Sequence, residues 1–534
     1  MAKLQTNKHS PSSISTSHAT IQLLLIALGL IVRTLAIIHA ENKLDFDESM
    51  VGIMALNIYE GHDFPLYFYG APHNIGGAIE AYCAALLFSI FGPSGLAVKI
   101  ALLPLWLATA LLLLSFLKKT HPPKAITASM AFFSIATPFF VDFSQKARGG
   151  FIESAFLSLL IFHSAFPLAM PEKKEKTRFK ILLLGGLCGF SAFVSEMTYP
   201  VVAMAFSWVL WGKWKRRYEF SSFFILGALV GFSPRIALFL SGELPRNSAL
   251  SPLIHGKTNF LTPHDVLFSL NFILTPGTLG VSIAAILAIW ILKRQNSERT
   301  IRLGVALITY FLLYMMAYTI SGYRYGAAIP PSRILYVLYP AISIFLGMAF
   351  FPVSGKFSKI HSIALLCSAL LWLLPTSIYL GNWIAGGSPR ARKHWYGKWS
   401  VVDGKELHAS LLALKPYLVF TSYHIGSPLF FAEYLSEYAE HPPPTVPIAF
   451  DWKAASEVPA NAPVAILLYP GSKQETKIVG SLKKNAVPFH MAQMENVVIL
   501  YGIPAGKLKK AMPDMPLDMN VDVMPPVINP GGFN

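Results

Sequence analysis

The sequence predicts a mainly α fold: a polytopic membrane bundle of about eleven spans, with in-plane helices on its outer face and a small C-terminal α/β domain. Three observations predict it. The 534 residues are 54% hydrophobic and 13% charged, where a soluble chain carries about a quarter charged residues. Apolar runs of about 20 residues recur, the length a helix needs to cross a bilayer. Short loops rich in Lys and Arg fall between alternate pairs of these runs, as the positive-inside rule requires. The net charge of +16 is then a topology signal. No nucleic-acid-binding motif accompanies it, so nucleic acid is not an expected partner. Cys83, Cys188 and Cys367 stand far apart in apolar segments and offer neither metal spacing nor a disulfide framework.

Taken in order, residues 1–20 are polar and rich in Ser and Thr, and read as a disordered cytoplasmic tail. The run 21–40 is long for a signal peptide, and Ile38-His39-Ala40 is a poor cleavage site, so it reads as a retained helix. Further spans are expected at about 97–117, 125–141, 151–170, 180–196, 199–212, 220–240, 274–292, 303–320, 333–352 and 362–381, completing a transmembrane domain over 21–381. The segment 75–92 is the ambiguous one. It is short, opens on Gly76-Gly77 and carries Glu80. If it stays on one face, the loops on the side of the N-terminal tail hold twenty Lys and Arg and the opposite loops hold seven. If it crosses, every later loop flips and the bias reverses. It is therefore expected to lie along the outer face, or to dip into it, within an outer loop over 41–96.

From about Asn382 the long apolar runs stop. Residues 382–512 read as an extracytoplasmic α/β domain, with strands near 416–421, 464–469 and 497–501 and a helix near 429–439. The tail 513–534 reads as irregular. No internal repeat is evident, which weighs against an inverted-repeat transporter.

The outer face collects the polar chemistry. "LDFDESMVGI" follows the first span and packs Asp45, Asp47 and Glu48 into four residues. The long loop that it opens is expected to fold into a lid and also carries Asp63, Tyr69, His73 and Glu80. After the third span comes "VDFSQKARGGFIE", with Asp142, Lys146, Arg148 and Glu153, and before the penultimate span "SGYRYGAAIPPSR", with Arg324 and Arg333. A carboxylate can take a proton from an attacking hydroxyl. Cations, Arg above all, can stabilise a departing phosphate. Grouped carboxylates can hold a divalent cation to the same end. This mixture suits glycosyl transfer from a polyprenyl phosphate, whose head lies at such an interface. A transporter or flippase of lipid-linked or polar solutes is the alternative, and an enzymatically inert interaction protein is a third reading. Each residue also has a structural reading. Juxtamembrane acids are often solvated, and Arg148 and Arg333 near helix ends can snorkel to headgroups. Arg33 in the first span reads as lipid-facing, and Glu153, Glu196 and Arg235 as structural pairs.

The arrangement resembles the membrane glycosyltransferases of fold type C, in particular the superfamily of protein O-mannosyltransferases and lipid A aminoarabinose transferases with its bacterial lipopolysaccharide-modifying branch. Five features over residues 20–380 carry the resemblance. They are the Asp47-Glu48 pair after the first span, "NIYEGHDFP", "YGAPHNIGGAIEAYCAALLFSIFGPSGLAVKI", "KARGGFIE" and "PSRILYVLYP". The resemblance implies that Asp47 is the catalytic base and that Glu48 orients it or the acceptor. It makes Arg148, Lys146, Arg333 and Arg324 candidates for the donor phosphate. Glu80, Asp142, Glu153 and His73 are candidates for the acceptor or a second carboxylate. The first outer loop reads "APHN" and lacks His-Pro-Pro, so the strict O-mannosyltransferase pattern is absent. Metal dependence varies across the superfamily, and a divalent cation on Asp47 with Asp142 or Glu153 stays open. The implied partners are a polyprenyl-phosphate-linked sugar, an acceptor glycan, lipid or protein, and membrane lipids. The implied setting is a bacterial inner (plasma) membrane, with the site and the C-terminal domain facing the periplasm or exterior.

Overall fold

The structure is a computed structural model. It describes residues 16–39, 43–66, 68–69, 76–136, 138–147, 149–169, 177–240, 298–320, 332–350, 402–436, 447–449, 458–494 and 497–513, with the isolated positions 363, 367 and 370. The expected span at 274–292 and nearly all of that at 362–381 lie outside the described residues.

Helix α1 (Thr16–His39) starts inside the stretch expected to be a disordered tail. Polar residues continue a helix past its apolar segment, because the backbone stays hydrogen-bonded where headgroups and water begin. A two-residue strand β1 (Lys43–Leu44) leads to α2 (Phe46–Glu60), α3 (Gly76–Phe91) and α4 (Gly95–Ile100). The expected span at 97–117 falls within one helical stretch, Gly95–Thr120, with a short turn at Ala101 and Leu102. Its helix restarts as α5 (Leu103–Thr120), with Pro104 in the first turn, where its missing N–H costs nothing. The expected span at 125–141 is two helices, α6 (Pro123–Ile135) and α7 (Pro138–Phe143). Ala136 takes a left-handed φ of 55° and Pro138 opens the new helix. Proline inside the expected span removes a backbone donor and clashes with the preceding turn.

The bundle continues through α8 (Phe151–Ala169), α9 (Thr177–Val194), α10 (Tyr199–Gly212), α11 (Arg217–Leu240), α12 (Glu298–Ile320) and α13 (Ser332–Phe350). Among the described residues, five helical stretches are long and apolar enough to cross a membrane: His18–Ile38, Gly95–Thr120, Phe151–Ala169, Thr177–Val194 and Trp214–Leu238. Helices α9 and α11 touch backbone to backbone along a seam of small residues. A Cβ on Gly189 would come within 2.0 Å of the Ala228 carbonyl oxygen, and one on Gly231 within 2.0 Å of that of Gly186. Such approach lets apolar helices associate by packing where lipid offers no hydrophobic drive.

Two buried arginines brace the bundle. Arg33 is not lipid-facing. Its guanidinium donates to Ser144 Oγ at 2.7 Å and to the carbonyls of Gly29 and Ser134 at 3.0 Å, and lies over Trp106 at 4.1 Å. Four partners inside the bundle outweigh the headgroup contacts that snorkelling would offer. Arg235 pairs with Glu196 at 2.8 Å, one of the structural pairs the sequence suggested.

The C-terminal domain is an α/β layer structure. It comprises β2 (Val402–Asp403), α14 (Gly404–Leu414), β3 (Leu418–Thr421), α15 (Tyr423–Ser436), β4 (Ile448–Ala449), β5 (Pro463–Leu468), α16 (Lys473–Lys484), β6 (His490–Gln493), β7 (Val498–Pro504) and α17 (Ala505–Ala511). One sheet has the order β4-β3-β5-β7-β6, parallel from β4 to β5 and antiparallel at β7 and β6. Alternation along the strands buries both faces. Phe420 and Ile466 meet Ile478 and Leu508 on one side, and Val419 and Leu467 meet Leu411 and Leu429 on the other. The domain is tied to the bundle twice. Strand β2 pairs antiparallel with β1, Val402 opposite Leu44. Phe431 on α15 fills the notch at Gly52 on α2, where a Cβ would lie 2.5 Å from the ring.

Candidate active site

The acidic cluster begins α2 by capping it. Asp45 is the N-cap, and its side chain accepts from the Glu48 N–H at 3.1 Å. Glu48 reaches back to accept from the Asp45 N–H at 3.0 Å, completing a capping box. Each acid is also matched by a lysine from far along the chain. Lys146 Nζ lies 2.9 Å from Asp45 Oδ2, and Lys99 Nζ lies 2.6 Å from Glu48 Oε1. All four residues are buried, the lysines being 2% and 3% exposed. Charges so far from water persist when each is paired and hydrogen-bonded.

Asp47 differs from its neighbours. It occupies the second position of α2, between the two capping acids, and is half-buried, so it keeps contact with solvent. The positive end of the α2 dipole favours its anion.

A second carboxylate grouping lies across the site. Glu80 on α3 is buried and accepts from the backbone N–H of Gly149 at 2.7 Å and of Gly150 at 3.3 Å. Both glycines have positive φ, which turns their N–H groups toward one acceptor. Glu153, in the first turn of α8, is buried beside Glu80. The two carboxyl groups lie close enough to interact directly. Burial first, and then the Glu153 carboxyl, hold the Glu80 carboxyl well above the usual carboxylate range. After α2, two hydrogen bonds tie Tyr69 back toward the helix. Tyr69 donates to Asp63 Oδ2 at 2.6 Å, and Asn57 Nδ2 donates to the Tyr69 oxygen at 3.1 Å.

These contacts also locate α3. Its 16 residues form a rod of about 24 Å. Glu80 near its start touches Gly149, and Lys99, eight residues past its end, touches Glu48. Asp45 meets Lys146, so all of these groups share one end of the bundle. The chain thus meets this end of the bundle both at Glu80, near the start of α3, and at Lys99, eight residues after it.

The structure thus gathers Asp47, Glu48, Lys146, Glu80 and Glu153 of the expected site. Helices α7 and α13 contain Asp142 and Arg333, whose side chains lie outside the described residues. Arg148, Arg324 and His73 also lie outside them. Lys99 and Asp45 were not among the expected site residues. Two signals point to them: a lone lysine inside an apolar run, and the Asp-x-x-Glu spacing of a capping box before one. Among the described residues, no three His, Cys, Asp or Glu side chains are placed to hold a metal ion.

No protein-family model and no curated protein matches the sequence. Solved structures do. ArnT from Cupriavidus metallidurans bound to undecaprenyl phosphate superposes with a TM-score of 0.55 at 12% identity, covering 90% of this chain and 97% of that one. The apo state of the same protein gives 0.52 at 12% identity, over 92% and 99%. The archaeal oligosaccharyltransferase AglB from Archaeoglobus fulgidus, in complex with an inhibitory peptide and a dolichol-phosphate, gives 0.44 at 11% identity, over 92% and 77%. The chain therefore shares the ArnT fold along nearly its whole length, and the resemblance drawn from its sequence holds at the level of the fold.

Proposed function

We propose that the chain is an integral membrane glycosyltransferase that moves a sugar from a polyprenyl-phosphate donor to an extracytoplasmic acceptor, with Asp47 as the base. One observation carries the reading. In a cluster of three acids, Asp45 and Glu48 are buried on lysines while Asp47 keeps solvent contact, within a fold shared with a protein crystallised on undecaprenyl phosphate.

The Asp47 carboxylate accepts the proton of the acceptor hydroxyl as its oxygen attacks the anomeric carbon. The bond from that carbon to the phosphate oxygen breaks, and the polyprenyl phosphate leaves with the electron pair. Direct displacement inverts the anomeric centre. Glu48 positions Asp47 by fixing the first turn of α2. Arg148, Arg324 and Arg333 receive the leaving phosphate. Lys146 is a weaker candidate, because it would have to leave Asp45 to reach it. Glu80 holds Gly149 and Gly150, and with them the loop that carries Arg148. Glu153, Asp142 and His73 are the candidates for the acceptor side or a second carboxylate. A divalent cation held by Asp47 with Asp142 or Glu153 would add a further positive charge for the leaving phosphate. The acceptor is an envelope glycan such as lipopolysaccharide, a lipid or a protein. The setting is a bacterial inner membrane with the site and the C-terminal domain on the periplasmic side.

The test is turnover. Purified full-length protein in vesicles is given a panel of hexosyl and pentosyl polyprenyl phosphates with envelope lipids and peptides as acceptors, and release of polyprenyl phosphate is followed. Release that depends on both donor and acceptor supports the reading. Movement of intact donor or free solute across the vesicle, with no release from any donor, would replace it with the transporter or flippase.

A further inference from the structure

The opposite end of α8 carries a second feature. A groove of about 460 Å3 opens between α8, α9 and the turn that joins α10 to α11. Leu160 and Ser164 on α8, and Leu184 and Leu187 on α9, form its wall. Lys180 and Lys213 stand at its mouth, and among the described residues that line it none is acidic. From Lys180 to Leu187 the groove follows α9 for about 10 Å. It is apolar at depth and doubly cationic where the helices end.

More positive charge converges there. Arg302 donates to the Ala169 carbonyl at the end of α8 at 3.1 Å. Burial, then Arg216 and Arg302, draw the Lys213 ammonium below its usual value, so like charges crowd this rim. The nearby Glu219 is engaged by Arg178 and Arg216. The same rim carries exposed Trp211 and Trp214, with Arg302 over the first ring at 4.9 Å and Arg217 over the second at 4.7 Å. Tryptophan and arginine together mark the headgroup level of a bilayer.

We infer that this groove binds one anionic glycerophospholipid of the leaflet that the basic loops face, its phosphate between Lys180 and Lys213 and an acyl chain along Leu184, Leu187 and Leu160. Charge complementarity selects the headgroup, and the apolar wall requires a chain. The site is separate from the acidic rim around Asp47 and does not depend on the activity proposed there.

The experiment is native mass spectrometry of the delipidated full-length protein titrated with dioleoylphosphatidylglycerol or dioleoylphosphatidylcholine. One phosphatidylglycerol should be retained in preference to phosphatidylcholine. The double variant Lys180→Gln/Lys213→Gln should retain it about 30-fold less well, roughly fivefold for each lysine. Ser164→Trp, which fills the groove and leaves both charges, should lose it to a similar degree. Because both lysines lie at the solvent-accessible mouth, the double variant tests the site even if the tryptophan disturbs folding. Equal retention of the two lipids would overturn the proposal. So would full retention by Ser164→Trp in a folded protein, which would mean surface attraction only. Complete displacement by inorganic phosphate would likewise overturn it, since a free anion would then suffice.

Discussion

The two ends of α8 handle charge in opposite ways. At the end near Glu153, lysines are buried on carboxylates brought from distant parts of the chain: Lys99 on Glu48 and Lys146 on Asp45. At the other end Arg178 and Arg216 share Glu219 in the open, with Arg178 62% exposed. An exposed pair exchanges one set of hydration for another and contributes little. A buried pair holds its elements in one arrangement, because separating it strands a charge. The acidic rim is thus built to keep a geometry, and the basic rim to meet headgroups. Among the described acids of that rim, Asp47 is the half-buried one.

The comparison can be broken most severely at a buried pair. Lys99→Met leaves Glu48 without its cation and should cost about 3–5 kcal/mol in a denaturation series. Adding Glu48→Gln, which keeps an acceptor for the helix cap, should restore most of the loss. No recovery would mean that Lys99 acts through packing. The docking of the C-terminal domain comes next. Gly52→Leu drives a side chain into Phe431 and should cost about 1–3 kcal/mol, read by the thermal midpoint and by proteolysis between bundle and domain. Phe431→Ala should relieve it in the double variant.

A smaller effect is a matter of pH. The Glu80 carboxyl is held above its ordinary value of 4.5 by burial and Glu153, so the folded state binds this proton more tightly than the unfolded chain. Its contribution is fully present below about pH 4.5 and is lost as pH rises toward the folded value. Glu80→Gln should therefore flatten the fall of the thermal midpoint above pH 4.5 relative to the parent protein. Parallel curves would place that proton elsewhere. The smallest effect is expected at the basic rim, where Arg178→Ala should leave the midpoint unchanged within error.

Much of this architecture is legible locally. Helix α10 spans the 14 residues expected of it, 199–212, and strands β3, β5 and β7 fall where short β-branched runs predict them. The bias of basic loops predicts that α3 stays on one face. The break at Ala136 and the turn after α4 were hidden because apolar composition continues through them, although Pro138 and Pro104 mark both. Arg33 was misread because its partners are on other helices, with Ser144 111 positions away. The same holds for Lys99 and Lys146, which meet their acids across 51 and 101 positions. No local pattern encodes such pairs. The sequence therefore shows a cluster of three acids but not which of them the lysines occupy.

Turnover in three variants of the cluster tests this division of roles among the three acids. Asp47→Asn, Asp45→Asn and Glu48→Gln are purified side by side, and both thermal midpoint and sugar transfer are measured. Asp47→Asn should lower transfer by about 100-fold or more at an unchanged midpoint, while Asp45→Asn and Glu48→Gln should lower the midpoint first. Transfer at the parent rate by a folded Asp47→Asn protein would contradict it.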